Sequence, residues 1–343
     1  MKKRIKSTFR SVGLAAGLCA LIVSATACGG GDSDTGAEGN EITIIADPSA
    51  FPAFVADDQD MFEGVEVKVT QAGYDQAASL LISGDAEVAW MGPLEAAQFV
   101  SEGEGFTYLS TAGALNMFNG VIVRAEDEQK YKDIIDLKGK KLGIPGFGTG
   151  TWANFGVFAD EFYGVDDAKK AFKTVTTDSG ALLALLEKGE IDAALLFAAE
   201  SVTARFSDKF ATIFSFTDVM QEKLGQPIPI TGTVVTDKWL KENPDDANAV
   251  IDGLDKATKW IQENPQEFDV DGKYSNLGEG DGWHTSAPAT AGILKLVSEG
   301  EWFMTSEVDT TEWQQAIYTI VQAGEGTLVE SVPPLEDFLT PPR

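Results

Sequence analysis

The chain is almost without cysteine and histidine: its 343 residues hold two cysteines, Cys19 and Cys28, and one histidine, His284. Cys19 lies in an expected leader, so the exported part has no disulfide framework, no thiol nucleophile and no cysteine metal site. A zinc site would have to be nearly all carboxylate, which is unusual for that ion. No metal is expected. His284 stands in Gly282-Trp283-His284-Thr285-Ser286, and the chain contains no G-x-S-x-G nucleophile elbow, so acyl transfer has no motif to rest on. A loop histidine beside aromatics reads as structural or surface, and no enzyme is expected.

Basic residues are scarce too, with 26 Lys and Arg against 54 Asp and Glu, a net charge of -28. Removing residues 1–27 takes away five basic and no acidic residues, which leaves -33. Such a surface repels phosphate backbones and anionic lipid, which excludes nucleic acid and charge-driven membrane binding.

Long apolar runs are also missing. Val12 to Val23 is twelve residues, well short of the ~20 that cross a bilayer as a helix. Preceded by Lys2, Lys3, Arg4, Lys6 and Arg10 and followed by Ala25-Thr26-Ala27-Cys28, it reads as a signal peptide over residues 1–27. The small residues before Cys28 resemble a bacterial lipoprotein processing site, although Ala25 stands where that pattern usually has Leu. The resemblance implies that Cys28 is lipidated and that the lipid is the only membrane contact. Residues 28–40 then form a tether: Gly29 to Asn40 has no apolar residue larger than Ala, and twelve flexible residues reach roughly 20 Å.

What the chain does have is a segment written twice. Leu80 to Ala96 reads LLISGDAEVAWMGPLEA, and from Leu185 the chain reads LLEKGEIDAALLFAAES, aligned without a gap 105 residues later. In each copy Leu-Leu closes a helix, Gly84 or Gly189 suits a left-handed cap, two acids follow on the turn, and a short apolar run reads as a strand buried on both faces. The spacing is too long for a solenoid and suits two similar lobes. Ligands of open α/β sheets sit at the carboxyl ends of the strands, so the loops at Gly92-Pro93 and Ala198-Ala199-Glu200 are candidate site loops.

The rest of the chain fits that plan. Strands are expected over Glu41–Ala46, Val65–Thr70 and Phe106–Ala112 in lobe 1, and over Leu142–Ile144, Phe172–Thr176 and Thr212–Phe216 in lobe 2, with helices between them. Gly120 to Arg124 and Ile230 to Val235 read as crossings out and back, which divides the chain into lobe 1 (41–119 and 236–343) and lobe 2 (120–235). Helices are expected over Asp237–Glu242, Pro244–Glu263, Ala287–Ser298 and Thr311–Ala323, all in lobe 1, with Gly272–Gly282 a loop.

At Asp136-Leu137-Lys138-Gly139-Lys140-Lys141-Leu142-Gly143-Ile144-Pro145 and at both copies of LxxGxxDxA, the chain resembles the substrate-binding proteins of nitrate, sulfonate and taurine type ABC importers, close to those for thiamine-pyrimidine precursors. The resemblance covers about Glu41 to Glu242. It implies an α/β, two-lobed periplasmic-binding-protein fold of type II-like form, with two parallel-rich sheets and a ligand cleft between them. It also implies a monomer that delivers a small molecule to membrane permease subunits, without a cofactor.

By that resemblance the ligand contacts fall on four loops: Asp47 to Phe51 (Ser49 and Phe51 foremost), Gly92-Pro93, Gly146 to Trp152, and Phe197 to Glu200. In the third loop Gly148 and Gly150 let backbone N–H groups approach a ligand, Thr149 and Thr151 add hydroxyls, and a helix opening at Trp152 presents its positive end. The spacing G-x-G-x-G is not that of a dinucleotide fold. None of the four loops contains Lys or Arg. Phe51, Phe147, Trp152 and Phe197, with Trp90 nearby, favour an organic sulfonate or carboxylate with an apolar body over nitrate. Asp47, Glu95 and Glu200 leave open a zwitterion such as taurine, or an aminopyrimidine; acids in a first helical turn are otherwise dipole partners. The fourth loop lacks the proline usual in the family, so its contacts stay open.

Overall fold

The computed structural model describes residues 41–341 apart from 74, 75 and 148. The expected leader, Cys28, the tether and Gly148 lie outside the described residues.

The chain opens as β1 (Ile42–Ala46), α1 (Phe51–Asp58), β2 (Val67–Gln71), α2 (Ala77–Ser83), β3 (Val88–Met91), α3 (Pro93–Ser101), β4 (Phe106–Ser110) and a short β5 (Ala114–Leu115). It crosses into β6 (Gly120–Arg124), β7 (Lys141–Ile144), α4 (Gly150–Tyr163), α5 (Ala168–Ala171), β8 (Lys173–Thr176), α6 (Ser179–Glu187), β9 (Ala193–Leu196), α7 (Ala198–Arg205), β10 (Phe210–Ser215) and α8 (Phe216–Leu224). It returns as β11 (Gly232–Thr236), α9 (Asp237–Glu242), α10 (Pro244–Glu263), α11 (Ser275–Gly280), α12 (Ala287–Ser298), β12 (Phe303–Met304), α13 (Thr311–Ala323) and α14 (Leu335–Phe338).

Two five-stranded sheets result, in the orders β2-β1-β3-β11-β4 and β8-β7-β9-β6-β10. In each, three parallel strands are followed by one antiparallel crossing strand and a fifth strand. The crossing strands β6 and β11 are thus each inserted at the same place in the lobe they enter. Both begin with glycine for lack of room: a Cβ on Gly120 would stand 2.5 Å from the Phe214 carbonyl oxygen, and one on Gly232 would stand 2.9 Å from that of Ser110. The sequence pattern places the end of lobe 2 at residue 235, but Gly232 to Val235 already pair with β3 and β4. Val234 and Val235 are apolar in either lobe, so composition cannot say which sheet receives them.

The repeat is explained bond by bond. Gly84 (φ 76°) and Gly189 (φ 72°) are left-handed. Around them Asp85 N–H donates to the Leu80 carbonyl and Glu190 N–H to that of Leu185, both at 3.0 Å, the long-range bond of a Schellman cap. The second acid of each copy then holds the start of the neighbouring strand: Glu87 Oε2 accepts Thr43 N–H at 2.7 Å, and Asp192 Oδ2 accepts Lys141 N–H at 2.9 Å. Every residue of β3 and β9 is buried, because helices cover both faces of each sheet.

The C-terminal helices complete lobe 1, with α10 and α13 packed against α1 and α3. Within Gly272–Gly282, expected as loop, the chain forms the short helix α11. His284 pins it, its Nε2 lying 2.9 Å from the Phe268 carbonyl oxygen.

Candidate functional site

The carboxyl ends of β3 and β7 meet across the two lobes. Between them lies a cavity of about 350 Å³, lined by Gly92, Pro93, Leu94, Glu95 and Gln98 from lobe 1, by Phe147, Thr149, Gly150, Ala153 and Asn154 from lobe 2, and by Ile230 on the return crossing and Leu328. A larger hollow of about 530 Å³ lies around Ser83, Gly84 and Trp239, at the opposite, amino-terminal end of β3. Ligands of open α/β sheets bind at strand carboxyl ends, so the interlobe cleft is the site on physical grounds.

Each wall is the start of a helix. Gly92 is the N-cap of α3, and Pro93 follows at the first position, where its missing N–H costs nothing. Across the cleft Thr149 caps α4: its hydroxyl accepts Trp152 N–H at 3.2 Å and donates to the Gly146 carbonyl at 2.9 Å. That hydroxyl is therefore committed to shaping the loop. Asn154, one turn on, donates to the Gly150 carbonyl at 2.8 Å and seals the first turn. Among the described residues no Lys or Arg lines the cleft, and the ionisable side chain there is Glu95.

Gly92, Pro93, Thr149 and Gly150 are brought together in this cavity. Phe51 is not a wall. Its ring is fully buried, 4.5 Å from Trp283 and 5.4 Å from Phe268 between ring centroids, because α1 turns that face into the lobe 1 core. Trp90 is likewise a core ring, 1% exposed. Ser49 is taken up by Asp47, whose Oδ1 accepts both its N–H at 2.7 Å and its hydroxyl at 2.5 Å. The Thr151 hydroxyl lies buried 3.4 Å from Asn119 Nδ2. Trp152 lines an outer hollow of about 300 Å³ rather than the cleft, edge-on to Phe147 with ring centroids 5.5 Å apart. Phe147, 42% exposed, borders both hollows and also lies under the Lys169 ammonium.

Phe197 and Glu200, at the start of α7, belong to a second meeting place of the lobes. There Glu200 and Asp47 face Asp281, whose carboxyl is pushed up to about 7, first by burial and then by those two carboxylates, against the pull of the Trp283 indole N–H at 3.0 Å. Asp281 has no sequence signal, since nothing marks an acid in a glycine-rich stretch as half-buried at a contact between lobes. Gln98 and Asn154 were legible as polar positions one turn inside α3 and α4. Among the described residues no group of three or more His, Cys, Asp or Glu is placed to hold a metal ion, and no helix is long and apolar enough to cross a membrane.

The fold is that of periplasmic binding proteins. The aliphatic sulphonate binding protein SsuA from Escherichia coli superposes with a TM-score of 0.63 at 14% identity, covering 86% of this chain and 96% of that one. The nitrate-binding protein NrtA from Synechocystis PCC 6803 gives 0.57 at 12% identity, over 88% of this chain and 86% of its own. The alkanesulfonate-binding protein SsuA from Xanthomonas axonopodis pv. citri, bound to MOPS, gives 0.51 at 11% identity, over 86% and 98%. No curated protein matches the chain in sequence. The model of the NMT1/THI5-like family matches residues 47–268, well over half of the length, and the chain belongs to that family.

Proposed function

We propose that the chain is an extracytoplasmic solute receptor, anchored through a lipid on Cys28, that hands a small organic ligand to the permease of an ABC importer. The observation that carries this reading is the interlobe cavity between α3 and α4, lined from both lobes and by Ile230 on the return crossing. A ligand touching both walls stabilises the closed arrangement by its differential affinity, and the closed arrangement is what a permease can distinguish. The binding proteins named above, for sulfonates and nitrate, support the class of solute.

A cavity of about 350 Å³ holds a molecule of modest size. Its anion-binding groups are the backbone N–H groups at the starts of α3 and α4, since no basic side chain among the described residues lines it; an aliphatic or aromatic sulfonate or carboxylate fits those donors. Glu95 supports a second reading, a zwitterion such as taurine or a thiamine-precursor pyrimidine, whose cationic or amino end would face a carboxylate. A thermal-shift screen across alkanesulfonates, aromatic carboxylates, taurine and aminopyrimidines tests both. A true ligand at a hundred times its Kd adds about 2.7 kcal/mol. If no compound of any of these classes raises the melting temperature, the receptor reading fails.

A further inference from the structure

Outside the cleft, the lobes share a second contact that ligand binding does not explain. Helix α7 belongs to lobe 2, yet Val202 is fully buried within the apolar cluster of lobe 1, with Phe206 packed against the same cluster one turn later. Phe206 lies directly on Gly292 of α12, where a Cβ would stand 2.3 Å from its ring. Beside it the Thr203 and Thr285 hydroxyls bond across the lobes at 2.7 Å. At the other end of α7 a Cβ on Gly282 would stand 3.3 Å from that of Ala199. This seam is therefore an apolar i, i+4 pair and a hydroxyl bond at one end, and at the other a place where Glu200 of lobe 2 is brought up to Asp47 and Asp281 of lobe 1.

We propose that the α7 seam sets how far the two lobes close, and that protonation of Asp281 at its end favours the closed arrangement. Apolar burial and the Thr203–Thr285 bond pull the lobes together, and like charges at Glu200, Asp47 and Asp281 push them apart. The groups that act on Asp281 are Asp47 from the loop after β1, Glu200 from α7 and the Trp283 indole; Glu279 on α11 and His284 flank it in sequence, the latter bonded to the Phe268 carbonyl. With α7 docked against lobe 1, Asp281 is raised to about 7, first by burial and then by Asp47 and Glu200. Moving α7 away removes the Glu200 carboxylate and admits water on that side, and both changes lower the Asp281 carboxyl, so the arrangement with α7 docked holds more protons. Closure then gains as pH falls and loses as pH rises through that value.

This inference rests on the receptor reading only in requiring lobes that move, and its test needs no ligand. Spin labels at Glu102→Cys on lobe 1 and Lys188→Cys on lobe 2, in the full chain with Cys19 and Cys28 replaced by serine, report the interlobe distance. The ratio of short to long distances should rise about tenfold between about pH 8 and about pH 5.5. Asp281→Asn should hold the short population at both pH values. Gly292→Val should move the distribution to longer distances at both, while a retained cooperative melt shows that the fold survives. Identical distributions at the two pH values, or an Asp281→Asn chain with the same pH response as the parent, would overturn the proton link. A Gly292→Val chain with the parent's distances would overturn the seam's control of closure. Failure of the receptor reading shows separately, as no stabilising compound in the thermal-shift screen.

Discussion

The second residue that the central parallel strand of each lobe pairs with the repeat strand differs between the lobes in a way that sets how closely a helix approaches. In lobe 1 Ile45 pairs with Ala89 of β3 and fills the space beneath α2; in lobe 2 the corresponding Gly143 pairs with Ala194 of β9, and Leu182 of α6 takes that space instead. A Cβ on Gly143 would stand 2.5 Å from Leu182 Cδ2 and 2.7 Å from Ile191 Cδ1. The same helix–turn–strand plan thus tolerates two packings, provided that volume is conserved across the strand and the helix together. The cap bonds and the strand-holding acid are common to both because they satisfy backbone groups, which every such turn exposes.

The lobes differ as well in how they treat buried acids. Lobe 1 holds Asp309 at 5% exposure between Ser110, Thr111 and the chain leading to α13, and burial pushes its carboxyl up to about 6 despite the bonds it accepts from both residues. In lobe 2, burial works against the Asp192 carboxylate, but the Lys141 N–H and the Tyr131 hydroxyl at 3.0 Å outweigh it and hold the group below the ordinary carboxylate range. One acid favours its neutral form and the other its charged form, so the lobes should respond oppositely to pH.

Gly143 is where the two packings are least interchangeable. Placing the lobe 1 residue there, Gly143→Ile, should cost about 3 kcal/mol or more by overpacking against Leu182, read as a lower midpoint in urea. A cost near zero would mean that α6 can retreat as α2 does. The pH response is nearly as large. Because Asp309 is raised, its contribution is complete below about pH 4 and is lost as pH rises through about 6, about 3 kcal/mol in all. Asp192 is lowered, so its contribution is present above about pH 4 and is lost only as pH falls below that. Calorimetry across this range should find Asp309→Asn flattening the upper limb and Asp192→Asn the lower one.

Smaller effects sharpen the shared part of the plan. Removing the strand-holding acid should destabilise by about 1–3 kcal/mol in either lobe, with Asp192→Ala costing more than Glu87→Ala because it leaves the Tyr131 hydroxyl as well as a strand N–H without its acceptor. Hydrogen exchange should localise the loss to β7 in one case and β1 in the other. Smallest is Thr149→Ala, which removes the α4 cap and should lower stability by about 1 kcal/mol. If the cleft loop binds solute, the same change weakens affinity through loop geometry, although the hydroxyl itself is occupied.

The leucines, glycine and acids of the two repeats make the paired lobes legible in the residue order itself. Each residue there answers a local need: a left-handed turn, a cap, a buried strand. The aromatic side chains are not legible in that way. Phe51, Trp90 and Phe147 all stand in or beside site loops, yet Phe51 and Trp90 are core and Phe147 is exposed, because their placement depends on which helix packs over them.

Local chain chemistry, then, determined the element order, the caps and the division into two similar halves, since backbone hydrogen bonding and side-chain period act over a few residues. Only the tertiary structure decided that β11 joins the first sheet, that α7 carries Val202 into the other lobe's core, and that Asp281 comes to face Asp47 and Glu200. Those outcomes follow from contacts between segments far apart in the chain, where apolar burial and charge are summed over the whole molecule.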